Sequence, residues 1–234
     1  MKRGFAWMLA LGVLWAAGAA AEAPAARTPV LLIGDSMMKL PGFAMERELS
    51  KLPGIEARTF SGIGTGLARL DAFDWMGKID ELCAAQHPKM AVVALGANDR
   101  QPMQLPEGGR LAQPGTSEWD EEYGRRLGQA MDRLRAGGCE RVLWLALPPM
   151  RDPAVNEFAR RLNGLVAAQA ASRPFVTVHD FSKLVADRRT GGFTERLMDP
   201  QTAATILVRE GDGIHLSPDG SRILATALIQ EYWK

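Results

Sequence analysis

Residues 30–33 form an uninterrupted apolar run that stops on Gly34-Asp35-Ser36, and residues 90–95 form another that stops on Gly96-Ala97-Asn98-Asp99. Runs that are apolar at every position, rather than at alternate ones, suit strands covered on both faces, and strands of that kind are usually parallel and joined through helices. Residues 55–60, 141–147 and 175–179 are the other strand-like runs. Helical patterns lie between them. The clearest, over 117–134, puts Trp119, Tyr123, Leu127, Met131 and Leu134 on one face at spacings of three and four, with charges opposite. Ser117 and Asp120 read as a capping-box start and Gly137-Gly138 as the stop. Further helices are expected over about 153–171 and after Ser217-Pro218, an N-cap followed by a first-turn proline. Alternating strands and helices predict a doubly wound α/β domain, in which ligands sit beyond the carboxyl ends of the strands. Two Gly/Pro-rich or irregular stretches, 100–116 and 182–211, emerge on that side and are expected to wall the pocket.

The N-terminus follows a different pattern. Lys2 and Arg3, the apolar stretch 5–17 and Ala19-Ala20-Ala21 have the order of a secretory signal: basic, apolar, then a small-residue cleavage site. The apolar stretch is shorter than the ~20 residues that span a bilayer, which disfavours the alternative of an uncleaved anchor. Residues 1–21 therefore read as a signal peptide, 22–29 as an Ala/Pro linker and 30–234 as one domain of a periplasmic protein with no stable membrane span after cleavage. The 234 residues suit a single domain, and 47% hydrophobic with 24% charged residues suits a packed core. The formal charge is +1, or −1 once Lys2 and Arg3 are removed, and no basic run stands out, so nucleic acid is not the expected partner. Cys83 and Cys139 each precede a predicted strand, on the side of the sheet away from the motifs. A disulfide and two buried thiols that never touch are both compatible with that placement.

Ser36 directly follows the first strand and opens a helix, which exposes its hydroxyl and aims free backbone N–H groups at the same spot. A serine nucleophile needs a base. Of the three histidines, His87 falls at the wrong end of the sheet and His179 beside Asp180 at a strand end. His215 stands three residues after Asp212, a spacing that lets the carboxylate hold the imidazole, and is the favoured base. The oxyanion of acyl transfer needs fixed donors, which Ser36 (backbone N–H), Asn98 (side-chain amide) and the turn Gly62-Ile63-Gly64-Thr65-Gly66 can supply, Gly66 being favoured over Gly64. That turn also looks like a nucleotide-binding fingerprint, but the spacing is G-x-G-x-G and no acidic residue closes a second strand ~20 residues on.

These blocks resemble the SGNH (GDSL) hydrolase superfamily, whose four name-giving residues would be Ser36, Gly66, Asn98 and His215, with Met37 where a leucine is usual. The resemblance extends over 30–230 to the DUF459 branch of bacterial envelope proteins, through Thr65-Gly66-Leu67-Ala68-Arg69, Asp71 with Trp75, Gly96-Ala97-Asn98-Asp99-Arg100-Gln101, Trp144, Leu147-Pro148-Pro149-Met150-Arg151 and Asp212-Gly213-Ile214-His215. It implies a flavodoxin-like three-layer α/β/α sandwich with five parallel strands in the order 2-1-3-4-5. It also implies metal-free serine acyl transfer without a cofactor, in which Ser36 attacks an ester and Asp212 orients His215. Members in bacterial envelopes often remove or transfer acetyl groups on polysaccharides, so an exported esterase acting on O-acyl, foremost O-acetyl, groups of an envelope carbohydrate is expected. An O-acyltransferase, a lipase or thioesterase with the same residues, and a non-catalytic binding factor are the alternatives. Arg69, Arg100, Gln101 and Arg151 are candidate substrate contacts or braces of the oxyanion loop, and Met37 and Met38 candidate pocket lining. Trp75, Trp119 and Trp144 read as core rather than as a sugar platform.

Overall fold

A computed structural model of the protein describes residues 27–106, 108, 110–199 and 201–233. The expected signal segment and the linker up to residue 26 lie outside them. The chain runs β1 (Thr28–Gly34), α1 (Ser36–Leu49), β2 (Ile55–Ser61), α2 (Trp75–Gln86), β3 (Met90–Ala94), β4 (Met103–Gln104), β5 (Leu111–Ala112), α3 (Ser117–Ala136), β6 (Arg141–Leu145), α4 (Pro153–Ala170), β7 (Val176–His179), α5 (Ser182–Val185), β8 (Arg196–Met198), β9 (Thr205–Leu207) and α6 (Pro218–Tyr232).

Five parallel strands form one sheet in the order β2-β1-β3-β6-β7. Counted along the chain these are the second, first, third, fourth and fifth main strands, the order expected. The three central strands carry the continuous apolar runs because helices cover them on both faces: α1 packs on α6, while α3 lies between α2 and α4. All five residues of β3 are buried, and Val30–Gly34 of β1 likewise. Trp75, Trp119 and Trp144 are each at most 1% exposed, which places them in the core.

Three expectations are corrected. The cap of α3 is Thr116, whose hydroxyl accepts from the Trp119 N–H at 3.3 Å, one residue before the expected Ser117. β6 ends at Leu145 rather than 147. Ala146 still donates to the His179 carbonyl, but Pro148 and Pro149 have no N–H to continue the ladder, and the Leu147 N–H turns to Asn163 Oδ1 at 2.8 Å. The two irregular stretches contain short antiparallel hairpins, β4–β5 and β8–β9, which fold each segment back on itself.

Cys83 lies near the end of α2 and Cys139 precedes β6, at the amino end of the sheet as expected. Both are buried and free. The contact with Cys83, together with burial, pushes the Cys139 thiol up. Among the described residues no helix is long and apolar enough to cross a membrane, and no group of three or more His, Cys, Asp or Glu side chains is placed to hold a metal ion.

Candidate active site

β1 delivers Ser36 to the first turn of α1, at the carboxyl edge of the sheet. Asp35 caps that helix through Oδ1, accepting from the Met37 N–H at 2.8 Å. Its other oxygen, Oδ2, accepts from the N–H groups of Gly96 and Ala97 at 2.9 and 3.1 Å. One buried carboxylate thus ties the loop after β1 to the loop after β3. Burial pushes Asp35 up to about 7, against the pull of these backbone donors.

His215 reaches Ser36 from the loop before α6. Its Nε2 lies 2.8 Å from Ser36 Oγ and its Nδ1 2.5 Å from Asp212 Oδ2. Asp212 also accepts from the Ile214 and His215 N–H groups at 2.8 and 3.0 Å, so the three-residue spacing closes a local turn that aims the ring. Partial burial would raise Asp212, but the hydrogen bonds from His215 and from these two N–H groups win and hold it at about 2. Ionised Asp212 accepts from Nδ1–H, which leaves Nε2 as the acceptor for the serine hydroxyl. His179 bonds Tyr232 Oη at 3.1 Å, and His87 is the left-handed C-cap of α2 beside Cys83. Neither reaches Ser36.

The turn after β2 is held from the opposite side. Asp99 Oδ2 and Oδ1 accept from the Leu67 and Ala68 N–H groups at 3.1 and 2.8 Å, and Tyr123 donates its hydroxyl to Asp99 Oδ2 at 2.6 Å. Arg126 grips the carbonyls of the same two residues through Nη1 at 2.7 and 3.0 Å, while its Nε pairs with Glu122 at 2.6 Å. Burial raises Asp99, opposed by Tyr123 and the two N–H groups, and burial with the facing Asp99 raises Tyr123 well above its ordinary value. Gly66 packs so tightly on this carboxylate that a Cβ would lie 2.1 Å from Asp99 Oδ1. Asn98 Nδ2 donates one hydrogen to the Thr65 carbonyl at 3.0 Å, which fixes the amide and leaves the second hydrogen free to aim elsewhere. Thr65, Leu67 and Ala68 spend their N–H groups internally, but among the described residues those of Ser36 and Gly66 find no internal acceptor. Gly64 is exposed, at φ +74 with open space around it.

The Tyr123 hydroxyl serves a buried carboxyl acceptor, so Tyr123→Phe is expected to lower stability by about 1–3 kcal/mol with the fold retained, as read by urea denaturation.

The candidate substrate contacts go elsewhere. Arg69 pairs with Asp71 through two bonds of 2.8 and 2.7 Å on the surface. Gln101 donates to the Asn98 carbonyl at 2.8 Å and so braces that loop. Arg151 donates to the Gly211 carbonyl at 2.8 Å and pairs with Glu195, holding the loop that carries Asp212. Arg100 is exposed. Of the named candidates only Met37 lines the cavity beside Ser36. That cavity has a volume of about 290 Å³ and is bounded by Met37, Lys39, Leu40, Pro41, Ile63, Glu210 and Leu216 together with Ser36 and His215. Met38 is core. Among the described residues the 100–116 stretch contributes nothing to the cavity wall, being tied down to α3 through the Gln104 carbonyl and Arg126, and 182–211 only Glu210. A larger cleft of about 530 Å³ lies further along the sheet edge, between α4 and residues 190–192, and contains none of Ser36, Asp212 and His215.

Sequence reasoning missed four supports. Glu122, Tyr123 and Arg126 looked like parts of an amphipathic helix, and Glu122 and Arg126 at i and i+4 were the available signal. Arg209 is fully buried and donates to the carbonyls of Pro149 and Ile214 at 2.7 and 2.6 Å, bracing the His215 loop. Burial, with Arg151 nearby, lowers it to about 10.

The family profile described as "Protein of unknown function (DUF459)" matches residues 29–231. The chain belongs to the DUF459 family. This DUF459 protein shares its fold with solved structures of low sequence identity. A member of the lipolytic G-D-S-L family from Veillonella parvula is 13% identical, with a TM-score of 0.60 over 88% of this chain and 99% of that one. An α/β-hydrolase enzyme from the metagenome of Lake Arreo is 17% identical, with a TM-score of 0.58 over 88% and 94%. A family 3 carbohydrate esterase from Clostridium thermocellum is 14% identical, with a TM-score of 0.54 over 87% and 94%. No curated protein matches the DUF459 chain in sequence.

Proposed function

We propose that this protein is an exported serine esterase that cleaves O-acyl groups through an acyl-enzyme on Ser36. The observation that carries the reading is the hydrogen-bonded series Asp212–His215–Ser36, at 2.5 and 2.8 Å. The Ser36 oxygen attacks the ester carbonyl as its proton passes to His215 Nε2, and Asp212 stabilises the imidazolium that forms. The developing oxyanion is met by the Ser36 and Gly66 N–H groups and the free hydrogen of Asn98 Nδ2. His215 then returns the proton to the departing alcohol, and water activated by the same histidine releases the acid. Acyl transfer to a sugar hydroxyl uses the same steps and differs only in the acceptor. A carbohydrate of the cell envelope, O-acetylated in the simplest case, is the substrate that the resemblance and the signal-like N-terminus favour.

Labelling of the purified protein with a fluorophosphonate, read by intact mass, tests the nucleophile. One adduct on the wild type and none on Ser36→Ala is expected, and a folded wild type that takes up no label overturns the reading. Asn98→Ala is expected to lower kcat by about 10²–10³-fold, because it removes one oxyanion donor.

A further inference from the structure

The cavity at Ser36 is larger and more apolar than an acetyl ester requires. At about 290 Å³ it has room for about ten groups the size of a water molecule, each taking ~30 Å³, whereas an acetyl group brings two carbons. Met37, Pro41 and Leu216 are its buried floor and Leu40 a half-buried wall. Ile63 forms the lip and stands 62% exposed, an aliphatic side chain held in water next to the Ser36–His215 pair. Single exposed apolar residues are ordinary on protein surfaces. This one borders a concave feature whose floor is apolar, with Lys39 and Glu210 at its wall, and which ends on a nucleophile, the form of a ligand site. Apart from Lys39, Glu210 and the Ser36–His215 pair the wall offers sugar hydroxyls no side-chain partner, and burying hydroxyls against Met37, Leu40, Pro41 and Leu216 would leave them unpaired.

We infer that this cavity holds a hydrocarbon chain joined to the scissile ester, so that the substrate is an aliphatic ester with a chain of about four to eight carbons. The inference rests on the serine-esterase reading above and narrows the O-acetyl expectation. The chain can be carried on the acyl side, as in an acylated carbohydrate, or on the alcohol side. The chemistry the cavity recognises is the same in both.

Two ester series, assayed on the full chain, decide it: p-nitrophenyl esters with acyl chains of two to eight carbons, and acetates of straight-chain alcohols of the same lengths. In one series kcat/KM is expected to rise about fourfold per methylene until the cavity is full. A rise in the first series places the chain on the acyl side, and a rise in the second on the alcohol side. Ile63→Asn, at a position exposed enough to be tolerated, is expected to lower the six-carbon to two-carbon ratio of kcat/KM by about tenfold. Activity that is flat or falls from two carbons in both series overturns the inference, as does an unchanged ratio in the variant. Fluorophosphonate labelling of the same sample separates the failures. An adduct with flat series leaves the nucleophile standing and removes the hydrocarbon site, and no adduct with no hydrolysis overturns both.

Discussion

Ser36→Ala is expected to lower ester turnover by at least about 10⁴-fold, leaving only what the oxyanion donors and substrate binding supply. His215→Ala should do about the same, because a serine at neutral pH is a poor nucleophile until its proton has somewhere to go. The two losses should not add: once the base is gone, the serine hydroxyl has nothing to activate it, so the double variant should be as slow as either single one. Stability should barely change. Among the described residues Ser36 Oγ bonds to His215 alone, His215 bonds besides to the exposed Asp212, and both Ser36 and His215 are partly exposed, so circular dichroism and the urea midpoint should stay near wild type. Initial rates on a short p-nitrophenyl ester read the activity. Turnover by Ser36→Ala within tenfold of wild type would sink the mechanism.

Gly34→Ala is the single added methyl expected to do most harm to the fold. A Cβ on Gly34 would stand 2.0 Å from the Ala94 carbonyl oxygen and 2.8 Å from its carbon. Those atoms are backbone of the neighbouring central strand, and the same carbonyl accepts the Asp35 N–H at 3.0 Å. No side chain can rotate away to make room, so β1 and β3 must separate just where Ser36 and Asn98 are set against each other. The expected cost is about 3 kcal/mol or more, at or above the usual range for overpacking, with loss of activity even in the fraction that folds. Urea denaturation gives the first quantity, and fluorophosphonate labelling of folded variant the second. A midpoint within error of the wild type would show that the strands can part without penalty.

The legibility of this site followed its dependence on local geometry. Ser36 at a strand end and His215 three residues after Asp212 are placed by their own neighbours in the chain, and their spacing alone suggested the arrangement the structure shows. The sheet order was accessible through the resemblance, and the continuous apolar runs marked which strands would be central. Tyr123 and Arg126 were not legible as supports. On a helix wheel they belong to a broad buried face or its charged border, and only packing against the β2 and β3 loops gives Tyr123 an acceptor in Asp99 and Arg126 the carbonyls of Leu67 and Ala68. Arg151 and Gln101 sit in strand-end motifs, where the sequence leaves substrate contact and a brace for the oxyanion loop both open. Their hydrogen bonds go to the backbone of the loops that carry Asp212 and Asn98.

By itself the sequence determined approximately where the strands end, and so which edge of the sheet carries the chemistry, because apolar periodicity and turn chemistry act over a few neighbouring residues. It also determined the Asp212–His215 pair, whose contact spans one turn of chain. Only the tertiary structure decided what keeps those ends at working distance: Asp35 bonding across to Gly96 and Ala97, Asp99 across to Leu67 and Ala68, and the bare backbone of Gly34 against Ala94. It alone decided the shape and apolarity of the cavity, formed by α1, the turn after β2 and the loop before α6. Contacts between segments far apart in the chain depend on how the layers dock, and no local pattern in the chain records that docking.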